Sequence, residues 1–283
     1  MKYIKHFTEI NKSDLSLVGG KGLNLGLLTQ EGFLVPNGFC ITTEAYWKSE
    51  GGSRKAEGSW NACSVPLLET VEIQQELKDE IVNAYNAIGA GRVAVRSSAT
   101  AEDLPEASFA GQQDTFLNVH GATQLLDAVK RCWASLWSER AIAYRRNQNI
   151  DDSKIAMSVV VQKMIDSDVS GVMFTVNPQS PRPRNSELLK REQKADEIVI
   201  ESSFGLGEAI VSGKVSPDHF VVSRDSLDII ERIVSRKQLM ITQDGEIETP
   251  ESKQTQSSLN DEQIQKLAQL GLEIERFYGS PQD

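Results

Sequence analysis

The sequence of 283 residues is long enough to bury a sizeable hydrophobic core. This length allows either one large domain or two lobes, and we favour two lobes. Hydrophobic residues make up 39% and charged residues 25%, which is typical of a globular protein and excludes a disordered or membrane-embedded chain. The net charge of -10 disfavours nucleic acid as a partner, because that binding depends on neutralising phosphates.

The ends and cysteines of the sequence carry no targeting or metal signal. No apolar run reaches membrane-spanning length, and the first residues, MKYIKHFTEINKSD, lack the apolar core of a signal peptide. We therefore expect a cytoplasmic protein that contacts no membrane. Cys40, Cys63 and Cys132 form no CxxC pair, which argues against a disulfide framework or a zinc site, and we expect these thiols to be packing residues.

The first part of the chain contains a glycine turn. A short strand is expected around Tyr3 and Ile4, and the run GGKG at 19–22 leads into a helix that starts at Leu23. Glycines there let backbone N–H groups approach an anion at a helix N-terminus, and Lys21 adds a point charge. The spacing is not that of a P-loop, and a tight turn with a solvated lysine explains the same residues.

The next stretch predicts a strand, a loop and a helix. A Pro-Asn-Gly turn leads into the strand, and Thr42 and Thr43 are suited to cap the helix that follows. The Gly- and Ser-rich stretch 49–64 predicts a surface loop. Apolar residues at helical spacing then predict a helix over residues 67–88, which two glycines end.

Residues 93–117 combine a short buried strand with a long polar loop. Val93 and Val95 alternate with smaller or polar neighbours, and Arg96 follows them at the start of a run of hydroxyl side chains. A guanidinium that stays charged, together with hydroxyl and backbone donors, suits a polyanion such as a nucleoside triphosphate. A capped turn with an arginine salt bridge explains the segment equally well.

The middle of the chain predicts one long helix and two strands. The helix spans residues 121–148, and we assign its stripe of leucine and tryptophan residues to the core. Three arginines near its end are interpreted as a solvated or ion-paired edge rather than an anion site; they are Arg140, Arg145 and Arg146. From the residues alone, the strands at 158–165 and 171–176 are interpreted as an antiparallel pair with Gln162 pointing to solvent.

The last part of the chain predicts a sheet and a helix. The proline-rich, charged stretch 178–197 is expected to be a flexible connection. Strands are expected at residues 197–203, 219–222, 229–234 and 238–242. Gly205 and Gly207 either let the backbone approach a phosphate or merely form a turn. The final helix, over residues 259–278, has Asn260 as its cap.

Several of these runs are similar to those of a known family. They are GGKG at 19–22, RSSATAED at 96–103, ASFAGQQ at 107–113, SGVMFT at 170–175, FGLGE at 204–208 and YGSPQD at 278–283. Together they resemble the ATP-binding domain of phosphoenolpyruvate synthase, pyruvate phosphate dikinase and rifampin phosphotransferase. The resemblance runs from near residue 10 to the last residue.

The resemblance implies an α+β fold of the ATP-grasp type with two lobes. Residues 1–165 would form the N-terminal lobe with the phosphate-binding loops. Residues 166–283 would form the C-terminal lobe, whose last strands we expect beyond Asp283. In such a fold the adenine lies in the cleft between the lobes and is read by main-chain groups, so residues 162–165 would be the hinge.

The resemblance also implies binding residues for the cofactors ATP and Mg²⁺. Lys21 and Arg96 match positions that contact the phosphates of ATP. Gly111 and Thr115 match positions in the loop over the phosphates, and Gln162 matches a position beside the adenine. The family's metal-binding glutamate and Gln-x-Arg-Pro motif are expected after the printed sequence, so no metal ligand is assigned. Glu201 and Glu208 carry carboxylate oxygens that could help to hold magnesium, but most glutamates are surface charges, so neither is assigned to the site.

The implied function is ATP-dependent phosphoryl transfer. In the family, ATP phosphorylates a histidine on another domain, and the phosphoryl group then passes to an acceptor, either pyruvate or a rifamycin antibiotic. His6, His120 and His219 lie in no phosphocarrier motif, so we expect companion domains to carry the phosphohistidine and the acceptor site. No catalytic residue is assigned in this chain. The alternative is a non-catalytic nucleotide-binding fragment or regulatory module.

Overall fold

A computed structural model describes residues 2–49, 72–99, 115–147, 155–178 and 196–283. Contacts between Cα atoms divide the chain into two compact units, Met1–Ile165 and Asp166–Asp283. Each unit combines helices with antiparallel strands, which confirms the predicted α+β class. The functions assigned to the two lobes stay predictions. Among the described residues, none of the helices has the length and apolar character needed to cross a membrane.

The first unit contains a five-stranded antiparallel sheet within the described ranges. Its strands are β1 (Ile4–His6), β2 (Gly38–Ile41), β3 (Val93–Ala99), β4 (Thr115–Val119) and β5 (Met157–Lys163). Their order across the sheet is β1-β2-β5-β3-β4. The helices of this unit are α1 (Leu15–Glu31), α2 (Thr43–Lys48), α3 (Gln75–Ala87), α4 (Gly121–Ser135) and α5 (Glu139–Asn147).

The alternation of side chains along its strands gives this sheet two apolar faces. Val95 and Val161 are fully buried in the main core, together with residues of α4 such as Trp133. Val160 points the other way and packs against Val18 of α1. Both faces are therefore covered, and α1 is the helix that covers the second one.

The predicted long helix over residues 121–148 is wrong, because the chain forms two helices there. The N–H of Trp137 donates to the carbonyl of Ala134 (2.9 Å), and the helical ladder stops. Ser138 then caps α5, since its hydroxyl accepts from the N–H of Ala141 (3.2 Å). The two tryptophans of the stripe are buried as predicted; they are Trp133 and Trp137.

The prediction of a solvated arginine edge is wrong for Arg145, which is 1% exposed. Its guanidinium donates to the carbonyl of Leu136 and lies 5.2 Å from the ring centroid of Trp137. The break between the helices turns this side chain inward. Arg145 therefore donates to one of the carbonyls at the end of α4, which have no hydrogen-bond partner within the helix. Arg140 and Arg146 are exposed.

Two further predictions in the first unit need correction. The helix predicted over residues 67–88 begins at Gln75 within the described part, and its first predicted turn lies outside the described residues. Thr42 occupies the cap position of α2, but its side chain makes no capping hydrogen bond. Thr43 instead donates to the carbonyl of Ser16 (2.9 Å), which ties α2 to α1. Apart from Ser49, the predicted surface loop at 49–64 also lies outside the described residues.

The second unit is built on its own sheets. Its strands are β6 (Val169–Phe174), β7 (Glu197–Phe204), β8 (Asp218–Ser223), β9 (Ile229–Ile233), β10 (Leu239–Thr242) and β11 (Gly245–Glu248). In the described residues, four strands pair in the order β6-β7-β8-β9, and β10 pairs with β11. The helices are α6 (Glu208–Val211), α7 (Glu251–Gln254) and α8 (Asp261–Tyr278). Helix α8 packs on the four-stranded sheet through Ile264 and Ala268.

The predicted antiparallel pair of residues 158–165 and 171–176 is wrong. Strand β5 belongs to the first sheet, whereas β6 pairs with β7 in the second. Alternation of side chains along a strand predicts its two faces but not its partner strand. Two strands that are adjacent in the sequence therefore need not pair. Residues 164–168 therefore connect the two sheets.

Arg224 ties α8 to the end of β6 within the second unit. Its guanidinium makes two hydrogen bonds to the carboxylate of Glu275, from Nη1 to Oε2 (3.0 Å) and from Nη2 to Oε1 (2.6 Å). Nη1 also donates to the carbonyl of Thr175. The hydrogen bond from Arg224 lowers the pKa of Glu275 below its ordinary value of 4.5, although partial burial opposes that shift.

This pair predicts how the stability of the second unit depends on pH. Because the pKa of Glu275 is lower in the folded state, its contribution is complete above pH 4.5 and is lost as the pH falls through the folded pKa. Glu275→Gln should therefore reduce the free energy of unfolding at pH 7 and reduce it less at about pH 3. Urea unfolding at both pH values measures the difference.

A glutamate on the same helix provides the control. Glu273 accepts a hydrogen bond from the amide of Gln269 (3.1 Å), so Glu273→Gln removes a carboxylate whose described partner is neutral. Its effect should be similar at the two pH values. An equal loss of stability at pH 7 and about pH 3 in Glu275→Gln would contradict the role of the ion pair.

Candidate functional site

The GGKG run lies inside α1, at a break in the helix. Gly19 has φ 67° and ψ 173°, a backbone conformation that other residues almost never adopt, and helical geometry resumes after it. A turn is therefore present at the predicted glycines. The second helical segment begins before Leu23, and Lys21 lies in its first turn.

Close packing explains the spacing of the glycines in α1. A Cβ added at Gly22 would lie 2.7 Å from Sγ of Cys40, and one added at Gly26 would lie 2.5 Å from Cβ of Ile10. Real side chains do not approach so closely, so the helix reaches the sheet and the preceding loop only through glycine. Helix packing is thus sufficient to account for these two glycines without a bound anion.

The hydroxyl of Ser98 joins strand β3 to the break in α1. It donates to the carbonyl of Val18 (2.9 Å) and accepts from the N–H of Gly22 (3.3 Å). Ser98 is fully buried, and Gly19 lies directly against it. The GGKG run and the RSS run, 76 residues apart between Gly22 and Ser98, are therefore in direct contact.

The register of the sheet places Arg96 on the face covered by α1. Arg96 precedes Ser98 by two residues on β3, so both side chains lie on the same face. Arg96 is opposite Val160 in β5 and opposite Thr115 in β4. Residues directly opposite in an antiparallel pair share a face, and Val160 packs against α1.

Gln162 lies on this same face, two residues beyond Val160 on β5. Its side-chain amide donates to the carbonyl of Pro36 (3.2 Å) and is partly buried. The predicted alternative, a side chain that points to solvent, is therefore wrong. The reason is that the loop before β2 folds back over the end of β5, which the local pattern does not show.

Two backbone N–H groups of the predicted hinge, residues 162–165, make hydrogen bonds within the first unit. The N–H of Lys163 donates to the carbonyl of Asn37 (2.8 Å), and that of Met164 donates to the carbonyl of Arg92 (2.9 Å). These two donors hold the end of β5 to the neighbouring loops. Both donors are therefore engaged in hydrogen bonds within the protein.

The sheet of the first unit thus brings four predicted site residues to one side. Arg96, Thr115 and Gln162 share a face, and Lys21 belongs to the helix that covers this face. Gly111 lies outside the described residues. The role of each residue toward ATP stays a prediction. The sequence groups Ser98 with the hydroxyl donors that follow Arg96, whereas in the structure its hydroxyl is bonded to Val18 and Gly22 of α1.

The described residues offer few other reactive groups. They contain no cluster of three or more His, Cys, Asp or Glu side chains that could hold a metal ion. Glu201 is opposite His219 in the second sheet, with Oε1 3.4 Å from Nδ1, so this carboxylate is paired. Cys40 and Cys132 are buried, as expected for packing residues. Burial raises the pKa of Cys40 to about 12, which keeps its thiol protonated at neutral pH.

The FGLGE run forms a turn that contacts the hairpin of β10 and β11. Gly205 has φ 81°, and a Cβ there would lie 2.3 Å from the carbonyl oxygen of Ile241. The N–H of Leu206 donates to the same carbonyl (2.7 Å). Of the two predicted roles for Gly205, the structure shows the turn. The close backbone approach at this glycine is to Ile241 of the same protein.

The class of protein follows from a comparison with known families. A family model described as "Pyruvate phosphate dikinase, AMP/ATP-binding domain" matches residues 61–283. The chain therefore belongs to this family of AMP/ATP-binding domains. The resemblance seen in the sequence is confirmed, and with it the prediction of an ATP-binding domain.

Individual relatives carry two kinds of name. A probable phosphoenolpyruvate synthase from Methanothermobacter thermautotrophicus is 42% identical over all of this chain and 43% of the relative. A phosphoenolpyruvate synthase from Pyrococcus furiosus is 38% identical over all of this chain and 41% of its own length. A rifampicin phosphotransferase from Bacillus cereus is 39% identical over 99% of this chain and 34% of its own length. The chain spans less than half the length of these relatives.

The packing of α1 predicts the effect of enlarging Gly22. Gly22→Ala should reduce the free energy of unfolding by about 1–3 kcal/mol, because the new methyl group would overlap Sγ of Cys40. Adding Cys40→Ala should recover part of this loss by removing the sulfur. Thermal or urea unfolding measures both effects.

Gly91→Ala is the matched control, since a Cβ at Gly91 meets nothing within 4 Å and its φ is not positive. This variant should be as stable as the unmodified chain or slightly more stable. If Gly22→Ala were as stable as Gly91→Ala, glycine would not be required for the packing of α1.

Proposed function

We propose that this chain is the ATP-binding part of a dikinase-type phosphotransferase with an ATP-grasp fold. The observation that carries the proposal is the shared side of the first sheet. Arg96, Thr115 and Gln162 lie on one face, and Lys21 belongs to the helix that covers this face, in a chain of the AMP/ATP-binding family. An α+β chain that divides into two compact units also suits this two-lobed fold.

The chemistry of these side chains suits a triphosphate. The guanidinium of Arg96 presents paired donors to phosphate oxygens, and Lys21 adds a compact point charge. Lys21 lies in the first turn of a helical segment, where the helix dipole also favours an anion. Thr115, directly opposite Arg96, adds a hydroxyl donor. Gly111 belongs to the same proposed phosphate loop.

Gln162 is proposed to lie beside the adenine. The N–H groups of Lys163 and Met164 are engaged within the first unit, so they do not serve as adenine donors. We propose instead that adenine is recognised by the side chain of Gln162 and by the carbonyl groups that follow it. A carbonyl accepts from the exocyclic amino group of adenine and would reject a base that presents a carbonyl there.

Mg²⁺ is proposed as the companion of ATP. The described residues provide no cluster of three ligands for a metal ion, so they do not by themselves form a metal site. Mg²⁺ commonly binds through substrate phosphates and keeps several waters, and we propose that it enters with the nucleotide in this way.

The activity of the whole protein is proposed from its relatives. We propose that ATP phosphorylates a histidine on a companion domain and that the phosphoryl group then passes to pyruvate or to a rifamycin antibiotic, in the cytoplasm. This chain would position the triphosphate and offset its charge, because phosphoryl transfer requires little covalent chemistry from the protein. Relatives named as a synthase and a phosphotransferase favour this function over a non-catalytic module.

Calorimetric titration of the chain with ATP, with and without Mg²⁺, tests the binding site. Lys21→Ala and Arg96→Ala should each weaken ATP binding by about tenfold to a hundredfold, since a hydrogen bond to a charged group contributes about 1.5–3 kcal/mol. Adenosine binding should change much less, because adenosine has no phosphates.

Lys266→Ala is the charge-matched control. Lys266 lies on the exposed face of α8, where it pairs with Glu262 (2.7 Å), so its removal should leave ATP affinity unchanged. Wild-type affinity in both Lys21→Ala and Arg96→Ala would contradict the placement of the site. A well-folded wild-type chain that does not bind ATP would contradict the proposed function itself.

The acceptor is tested in a protein that also contains the companion domains. Transfer of the phosphoryl group from labelled ATP is measured with pyruvate and with rifampicin as separate acceptors. Transfer to one of them identifies the acceptor, whereas transfer to neither rejects both assignments.

A further inference from the structure

We propose that Ser98 is a positioning residue that fixes Lys21 relative to Arg96. This inference rests on the proposed function and goes beyond it, because Ser98 is not among the predicted ATP-binding residues. The hydroxyl of Ser98 contacts both sides of the break in α1, at Val18 and at Gly22. Lys21 is the residue immediately before Gly22.

Ser98 acts as a helix cap supplied by another part of the fold. The first N–H groups of a helical segment have no acceptor within the helix and are usually satisfied by a capping side chain. Gly19, at the break, has no side chain that could do so. The N–H of Gly22 instead donates a hydrogen bond to Oγ of Ser98 (3.3 Å). The Ser98 hydroxyl in turn donates a hydrogen bond to the carbonyl of Val18 (2.9 Å).

The contact is too tight and too buried for water to replace it easily. Ser98, Val18 and Gly22 are buried. A Cβ added at Gly19 would lie 2.4 Å from Oγ of Ser98 and 2.5 Å from its carbonyl oxygen. Removing the hydroxyl would leave a buried donor and a buried acceptor without their shared partner, so the start of the second helical segment would shift or loosen.

The same serine sets the position of both proposed phosphate ligands. Along β3, Arg96 precedes Ser98 by two residues and shares its face. Along α1, Lys21 adjoins the N–H that Ser98 holds. Loss of the hydroxyl therefore changes the spacing of the two cations without removing either charge, and small displacements of this kind weaken binding to a multiply charged triphosphate.

A double-mutant cycle tests this proposal. ATP and adenosine are titrated into the wild-type chain, Ser98→Ala, Lys21→Ala and the double variant. Ser98→Ala should weaken ATP binding about tenfold and adenosine binding by less than about twofold. In the Lys21→Ala background, the effect of Ser98→Ala on ATP should fall below about twofold, because the residue that it positions is absent.

Two controls separate positioning from stability. Ser202→Ala removes another buried hydroxyl, which is bonded to Ser258 (2.7 Å) in the second unit, and should leave ATP affinity unchanged. Hydrogen exchange at the N–H of Gly22 should become faster in Ser98→Ala but not in Ser202→Ala. If Ser98→Ala does not fold, Ser98→Cys provides a side chain of similar length with a much weaker hydrogen-bonding group, and the cycle is repeated with it.

The outcomes distinguish this inference from the function on which it rests. Wild-type ATP binding that Ser98→Ala leaves unchanged, or weakens equally in the Lys21→Ala background, overturns the positioning role alone. Failure of the wild-type chain to bind ATP overturns the proposed function and the inference together. A Lys21-dependent loss of ATP affinity, with faster exchange at Gly22, supports the positioning role.

Discussion

The contact between strand β3 and the break in α1 determines how the first unit can hold a ligand. A helix that packs through glycine comes unusually close to its sheet, and here the backbone at Gly19 lies against Ser98. The break costs helical hydrogen bonds, which the buried Ser98 hydroxyl partly restores on both sides. Because the contact is buried and hydrogen-bonded on both of its sides, it would hold the neighbouring charged residues Lys21 and Arg96 in a fixed relation. That pre-organisation lowers the entropy cost of binding a multiply charged ligand.

The second unit uses its buried charges for internal connections. Lys237 and Asp218 form an ion pair of 2.5 Å in which both side chains are fully buried, and Asp218 also accepts from the N–H and the hydroxyl of Ser258. A buried pair of this kind is stable only when such extra hydrogen bonds compensate for lost hydration. It joins β8 to the segments that carry the β10–β11 hairpin and the start of α8. In the described part of this unit, this pair therefore connects segments that are distant in the sequence.

Much of the fold is predictable where local chemistry decides the structure. Asn260 caps α8 as expected, since its Oδ1 accepts from the N–H of Gln263 (2.9 Å). The tryptophan stripe of the helix predicted over residues 121–148 is buried, and the glycine turn in α1 is present. The break after α4 was missed because apolar residues continue through it with nearly helical spacing. The burial of Arg145 was missed for the same reason, since a side chain assigned to a solvent face turns inward once the helix is broken.

The candidate site shows a sharper limit of sequence reasoning. Motifs identify Lys21 and Arg96 as candidate phosphate-binding residues. No local pattern, however, predicts that the GGKG run at 19–22 contacts the RSS run at 96–98. That contact depends on the pairing of β3 with β5 and on a helix that crosses their shared face, which are properties of the whole unit. The glycines illustrate the difference: read locally they suggest an anion cradle, while in the fold Gly22 is required by Cys40 and Gly19 by Ser98. Packing therefore constrains the same short run that is proposed to bind the phosphates, and this constraint acts on the lysine between the glycines whether or not a nucleotide is bound.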